Sequence, residues 1–344
     1  MEHSLEDKRS SIASDPLDSG SDEADIHGDL IELRQVVLGP GQHGIRLDKA
    51  LAEVVPEFSR SYLQQLIEAG HVSVNDRVAA KQSATVRCDD RMQISLQPTP
   101  QSTAFKPEPM ALDVVYRDAD VLVIHKPAGL VVHPAPGNWS GTLLNGLLAL
   151  DRALLDVPRA GIVHRLDKDT SGLMVVARNR AAMDALVSAI AAREVDREYL
   201  AIAHGHWSRA PLWHAQSAIG RDPRNRLRMA VVDLARQSGK TAATDIHLVA
   251  DNGQFCLVRC VLHTGRTHQI RVHMAELGHP LAGDSVYGGK PVPGLLGQAL
   301  HALRLAFAHP VTGKRLRFEA APPPGFLALL ASQGLGYTGL TPPD

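Results

Sequence analysis

The sequence predicts an α+β protein: a mixed, largely antiparallel sheet with helices packed on it, preceded by a small domain of the same class. Three observations predict it. Strand-like runs outnumber helical ones. Hairpin-like turns dominate the connections, among them Asp118-Ala119-Asp120 and KDTSG (168–172). A Pro-rich polar stretch, QPTPQSTAFKPEPM (97–110), separates a helix-helix-strand segment of roughly 55 residues from a longer, strand-rich one.

QVVLGPGQHGIRLDKAL opens the small segment, and LDKALAEVV reads as a short helix. Ser59 is placed to cap a second helix, RSYLQQLIEAG. Leu63, Leu66 and Ile67 fall on one face of it and Gly70 stops it. HVSVNDRVA alternates as a strand with Asn75-Asp76 at a turn, and VRCDDRMQISL reads as a further short strand pair. Beyond residue 110, VVYRDADVLVIHKPAGLVVHP gives strands around the Asp-Ala-Asp turn and a Lys-Pro-Ala-Gly break. TLLNGLLALD is helical. GIVHRLD and LMVVARN are apolar strands on either side of KDTSG; residues 180–194 have helical periodicity, and REYLAIAHG is a strand. A basic loop, IGRDPRNRLRMAV, leads to strands TAATDIHLVA, FCLVRCVL and RLAFAHP, and QIRVHMAELG is a helix ending at Gly278.

The net charge of −1 conceals segregation. Residues 1–30 hold nine acids against Lys8 and Arg9, a net of −7, so the rest of the chain carries +6. The acidic, Ser-rich head has too little apolar surface to offset its ordering entropy and reads as disordered. The remainder permits a phosphate-bearing partner. Of the three cysteines, Cys256 and Cys260 share a strand face with Val258 and Leu262, as buried thiols do; nothing suggests a disulfide framework or zinc site. The N-terminus lacks a basic segment followed by an apolar run, and no apolar stretch reaches membrane-spanning length, so the expected protein is cytoplasmic and off the membrane; a monomer is the default expectation, with oligomeric state left open.

HRLDKDTSG (164–172) carries the sharpest chemical signal. An aspartate at a strand end beside a Ser-Gly turn is more often a turn residue. Here Asp169, Thr170 and Ser171 already supply the turn, and alternation puts Arg165 and Asp167 on one face. A carboxylate leaving an apolar strand beside a guanidinium is costly unless it serves a site. Leu166, Leu173 and Val175 are the expected apolar walls around it. In HTGRTHQIRVH, His263, His268 and His273 sit five apart, which fits one face of neither a helix nor a strand, so no metal is expected. Thr264 to Thr267 reads as a tight turn opening the next helix, with Arg266 and Arg271 as donors for phosphate or a carboxylate. Arg221, Arg224, Arg226 and Arg228 form either a solvated loop or a nucleic-acid backbone contact. Tyr199 is either core or a stacking platform for a base.

GIVHRLDKDTSGLMVVARN, REYLAI, GKTAATDIHLV and HTGRTHQIRVHMAELGHPLAGDSVYG, with KPAGLVVHP before them, resemble the RluA/RluD family of pseudouridine synthases. Residues 44–96 resemble the S4-type RNA-binding domain of its RluD-like branch. The resemblance implies an S4-type domain over 44–96 and a catalytic domain over 110–330; composition adds an acidic, disordered tail over 1–43, which lies outside the resemblance, a Pro-rich linker over 97–109 and a C-terminal tail over 331–344. The resemblance implies Asp167 as the essential aspartate, Tyr199 stacked on uracil, and Arg271 paired with Asp167. It implies that Arg165 enters the RNA helix or contacts the backbone where the target uridine leaves, and that Arg266 and Lys126 contact RNA. Residues 44–96 hold seven acids and seven bases, so RNA binding there rests on a local face of Arg46, Lys49, Arg60 and Lys81, with Arg224 and Arg226 from the basic loop. The implied partner is RNA, ribosomal first and transfer RNA second. The implied isomerisation needs no cofactor, in keeping with a chain that lacks a dinucleotide fingerprint and a P-loop. Two other classes compete: a non-catalytic RNA-binding or ribosome-assembly protein, and a metal-dependent hydrolase using the histidines.

Overall fold

A computed structural model describes residues 32–337, apart from 57, 80, 97–103, 136 and 226–227. The expected disordered head, residues 1–30, lies outside the described residues. Contacts divide the chain into two units, 1–98 and 99–344.

The first unit is a four-stranded sheet in the order β1-β4-β2-β3, built from β1 (Glu32–Val37), β2 (Val72–Val74), β3 (Arg77–Val78) and β4 (Arg91–Leu96), with helices α1 (Leu47–Val54) and α2 (Arg60–Glu68). Ser59 Oγ accepts the Tyr62 N–H at 3.3 Å and caps α2 as the sequence predicts. Leu63, Leu66 and Ile67 are buried with Leu47, Leu51 and Ile94. Asn75 and Asp76 take positive φ in the β2–β3 turn. The assignment of 1–43 to the tail is corrected by β1, which pairs antiparallel with β4 along its length. Its own side chains are mostly exposed, so its stability comes from backbone pairing, which no hydrophobic pattern announces.

The second unit is a ten-stranded sheet. Its strands are β5 (Asp113–Arg117), β6 (Val121–Lys126), β7 (Ser171–Ala177), β8 (Asp196–His204), β9 (Leu212–Arg221), β10 (Met229–Val231), β11 (Gly239–Asp251), β12 (Phe255–Leu262), β13 (Leu300–Ala308) and β14 (Arg315–Glu319). The order is β10-β9-β11-β12-β8-β13-β7-β6-β5, with β14 on β13. Every pairing is antiparallel except β13 with β7, so the expected mixed, largely antiparallel α+β class is what forms. Both faces are covered, which explains the continuous apolar run of β6. Leu122 and Ile124 join the buried cluster of α3 (Leu143–Leu150), which runs on to Ile270 and Met274 of α5 (Gln269–Glu276), a helix packed against β9, β10 and β11 at the far end of the sheet. Val121 and Val123 pack with Ala182 and Leu186 of α4 (Arg180–Ala192). Helix α6 (Pro324–Ser332) buries Phe326 and Leu329 against Leu200 and Leu257. Cys256 and Cys260 are fully buried, and burial pushes the Cys256 thiol up to about 12. Among the described residues no helix is long and apolar enough to cross a membrane.

Three boundaries move. The second half of the expected linker is pinned to this unit, because Asn145 Nδ2 donates to Ala104 O at 3.1 Å and Lys106 O at 2.8 Å. The expected C-terminal tail contributes to α6 and buries Leu335, while 338–344 lie outside the described residues. GIVHRLD is not a strand: it starts in a 3-10 turn at Gly161, bends at His164 and joins no ladder beyond a single Ile162–Val176 bridge. β13 pairs β7 only at Ser171 and Gly172, and His164 Nε2 accepts the Val175 N–H at 3.1 Å instead. Burial holds that imidazole neutral, its pKa lowered to about 3.

Candidate active site

A cavity of about 440 Å³ opens where 162–167, β8 and the 262–270 segment meet. Asp167, Arg165, Tyr199 and Arg266, four side chains singled out in the sequence, line it together. Asp167 is the sole acid among the lining residues, which also include the cations Arg159, Arg193 and Arg197. Its carbonyl accepts the Thr170 N–H at 3.2 Å and closes the turn, while its side chain is 14% exposed and turned to Arg271.

Arg271, 6% exposed on α5, donates from NH1 to Asp167 Oδ2 at 3.1 Å. Its Nε and NH2 donate to Asp284 Oδ2 and Oδ1 at 2.7 and 2.8 Å, and its guanidinium lies 4.9 Å from the Tyr287 ring centroid. The expected Asp167–Arg271 pair therefore forms, inside a clamp that sequence reasoning missed. Asp284 and Tyr287 belong to GDSVYG, but nothing in the spacing links them to Arg271 thirteen and sixteen residues earlier. His268 was missed as a neighbour too. It takes a left-handed φ of 57° at the start of α5, meets the Tyr287 hydroxyl at 2.8 Å, and brings Nε2 to 3.8 Å from Asp167 Oδ1. Burial lowers its pKa, so the neutral ring faces the site.

Gln269 builds the tight turn before α5. Its Oε1 accepts from the Thr264 hydroxyl at 2.6 Å and from the Arg266 N–H at 3.0 Å. Its Nε2 donates to Ala243 O and Thr244 Oγ1 at 2.9 and 2.8 Å. Arg266 Nε donates to Thr241 O at 3.0 Å, which places its guanidinium at the cavity wall. The three histidines diverge: His263 meets Asp245 at 2.9 Å, His268 meets Tyr287, and His273 meets Thr244 and Ser217. Tyr199 is buried below the cavity, and burial pushes its hydroxyl up to about 12, so it stays protonated.

Two expectations are corrected here. Lys126 is not at an RNA surface. It is 1% exposed, and its ammonium donates to the carbonyls of Pro127, Leu130 and Lys168 at 2.8, 2.9 and 2.9 Å; burial lowers its pKa to about 8. It holds the Lys-Pro-Ala-Gly break against the residue that follows Asp167. Leu173 and Val175 do not wall the cavity, because the pleat of β7 sends them to the α4 face. Leu166, Ile162, Leu262, Ile270 and Leu300 form the apolar part of the lining.

Arg224 is exposed in the basic loop, whereas Arg228 pairs with Asp222 at 3.1 Å and lies 5.2 Å from the Tyr287 centroid. Arg226 lies outside the described residues. In the first unit Arg46, Lys49, Arg60 and Lys81 are exposed. Arg46 and Arg60 both donate to the buried Asp48, at 2.9 and 3.1 Å, and set two guanidinium groups side by side across α1 and α2.

Comparison with known proteins gives the family. The profile of the RNA pseudouridylate synthases matches residues 120–276, and that of the S4 domain matches residues 45–91. The chain is 48% identical over 300 residues to the ribosomal large subunit pseudouridine synthase D of Neisseria meningitidis, covering 84% of this chain and 78% of that protein. It is 43% identical to the protein of the same name from Xanthomonas campestris, over 93% of this chain and 95% of that one. The human RNA pseudouridylate synthase domain containing 4 has the same fold, with a TM-score of 0.52 at 23% identity over 66% of this chain and 95% of that one. The chain belongs to the RNA pseudouridylate synthase family. It is an RNA-modifying isomerase that carries an S4 domain ahead of its catalytic unit.

Proposed function

We propose that the protein converts uridine to pseudouridine in large-subunit ribosomal RNA, with Asp167 as the carboxylate that acts on the ribose. The observation that carries this reading is the solitary acid of the cavity. Glycosidic cleavage develops positive charge at C1′, which one nearby carboxylate stabilises or captures. Hydrolytic glycosidases employ a second carboxylate to activate water, and the cavity lining offers none. The N1–C1′ bond breaks, the uracil turns, C5 bonds to C1′, the C5 proton leaves and N1 takes up a proton. The change is redox-neutral and consumes no second substrate. Attack on C1′ by Asp167 and removal of the C2′ proton to give a glycal both fit one carboxylate.

Tyr199 supplies a protonated phenol whose ring offers the uracil a stacking surface. Arg271, fixed by Asp284, orients Asp167. Taking the target base out of a folded RNA costs a few kcal/mol. Arg165, exposed at the cavity, is placed to occupy the vacated stack, and the exposed basic residues of the first unit hold the RNA backbone. The relatives named as large-subunit synthases support ribosomal over transfer RNA. The test is tritium release from 5-labelled uridine RNA. Asp167→Asn should bind RNA as the wild type does and release none; product formation by the folded variant overturns the assignment. Binding without turnover by the wild type would favour a non-catalytic RNA-binding protein.

A further inference from the structure

Arg197 stands two residues before Tyr199 on β8, so the pleat turns both side chains to one face, and both line the Asp167 cavity. Arg197 is 5% exposed, and its Nε is buried with no hydrogen-bond partner. Among the described residues no carboxylate pairs with it. The acids beside it in sequence are engaged elsewhere: Asp196 with Arg315, and Glu198 with Arg259 and Arg304. The other buried arginines among the described residues differ sharply, since Arg271 on α5 and Arg304 on β13 each meet two carboxylates. A guanidinium buried without a counter-charge costs several kcal/mol, so the free protein holds it in a state that an anion would relieve.

The fold also makes room for it. A Cβ on Gly265 would lie 2.7 Å from Arg197 NH1, and Gly265 is itself exposed at the cavity mouth. The absent side chain therefore leaves one end of the guanidinium close under the surface. We propose that Arg197 binds a backbone phosphate of the RNA next to the nucleotide held over Tyr199, a binding role that rests on the reading of this cavity as a uridine site. The planar fork of five donors suits a phosphodiester. The uracil carbonyls are neutral and would leave the buried charge uncompensated.

The experiment is a cycle with Arg197→Gln and a target-site RNA whose phosphate on either side of the uridine is replaced by neutral methylphosphonate. In the wild type, one of the two replacements should weaken binding by roughly tenfold. In Arg197→Gln the same replacement should cost nothing further, and the slope of log K against log salt should be shallower by roughly 0.7, the value of one single-strand phosphate contact. Arg197→Lys should keep the wild-type slope. Equal methylphosphonate losses in wild type and variant, or an unchanged slope in Arg197→Gln, overturn the proposal. So does the absence of any loss at both positions in the wild type, a result that needs no variant to fold. Pseudouridine formation by the wild type on the same RNA separates the two readings: without it the uridine assignment fails, and with it a null cycle removes only the phosphate contact.

Discussion

Arg271 and Asp284 form a two-pronged ion pair in which both side chains are buried, leaving a single guanidinium nitrogen to reach Asp167. The orientation of the solitary acid in the cavity therefore depends on a residue that does not line it. Arg271 is not a mobile counter-ion: Asp284 sets the plane of its guanidinium and the Tyr287 ring backs it.

Asp284→Asn preserves the shape of the pair and removes its charge. It should lower kcat at least tenfold while RNA affinity stays within about twofold, because the loss falls on the geometry of Asp167. Asp284→Ala leaves a buried guanidinium half-paired and should destabilise the fold by about 3–5 kcal/mol. Single-turnover tritium release and urea unfolding check both. Wild-type turnover in Asp284→Asn would mean that Arg271 does not need its second partner.

Lys126→Met removes a buried donor from three carbonyls. Each orphaned acceptor costs on the order of 1 kcal/mol or more, so the urea midpoint should fall by the equivalent of at least about 2 kcal/mol. The turn after Asp167 loses its tether, so kcat should fall as well. RNA affinity should hold, which it would not do if Lys126 contacted RNA.

Gly172 has φ +116°, and a Cβ there would meet Ala302 O at 2.3 Å across the β7–β13 pairing. Gly172→Ala should therefore cost roughly 3 kcal/mol or more. Gly253 has φ +88° with nothing near its missing Cβ, and Gly253→Ala should cost only the local strain of about 1–2 kcal/mol. The difference between the two thermal midpoints measures the close approach alone; equal losses would show that strand contact does not demand glycine.

His273 and His301 are buried and His164 is half-buried, and desolvation lowers the pKa values of His164, His273 and His301 to about 3, 4 and 4 from 6.5. The unfolded chain thus takes up these protons at a higher pH than the folded one. Their contribution to stability is complete above about pH 6.5 and is lost as pH falls toward the folded-state values. Each site that protonates only on unfolding adds up to about 1.4 kcal/mol per pH unit. Urea midpoints should drop steadily from pH 6.5 to pH 4.5, and His301→Gln should flatten part of that drop. An acid-insensitive midpoint in this range would contradict the neutral burial of these rings.

Local patterning alone determined much of this protein. Period-2 alternation placed Cys256 and Cys260 inside, the cap at Ser59 began α2, and the self-sufficient turn of Asp169 to Ser171 marked Asp167 as free for other work. These are properties of neighbours a few residues apart, set by pleat, helix turn and hydrogen-bond valence. The long motifs added Tyr199, Arg165 and the Asp167–Arg271 pair through family likeness. Only the tertiary structure decided what depends on partners far along the chain. It made 32–37 a strand on β4, closed Lys126 over three carbonyls, and turned GIVHRLD from a ladder strand into a segment held by His164. It also joined Arg271 to Asp284 and left Arg197 buried without a carboxylate. Burial and pairing belong to the three-dimensional arrangement, because the cost of a buried charge depends on what the fold sets beside it.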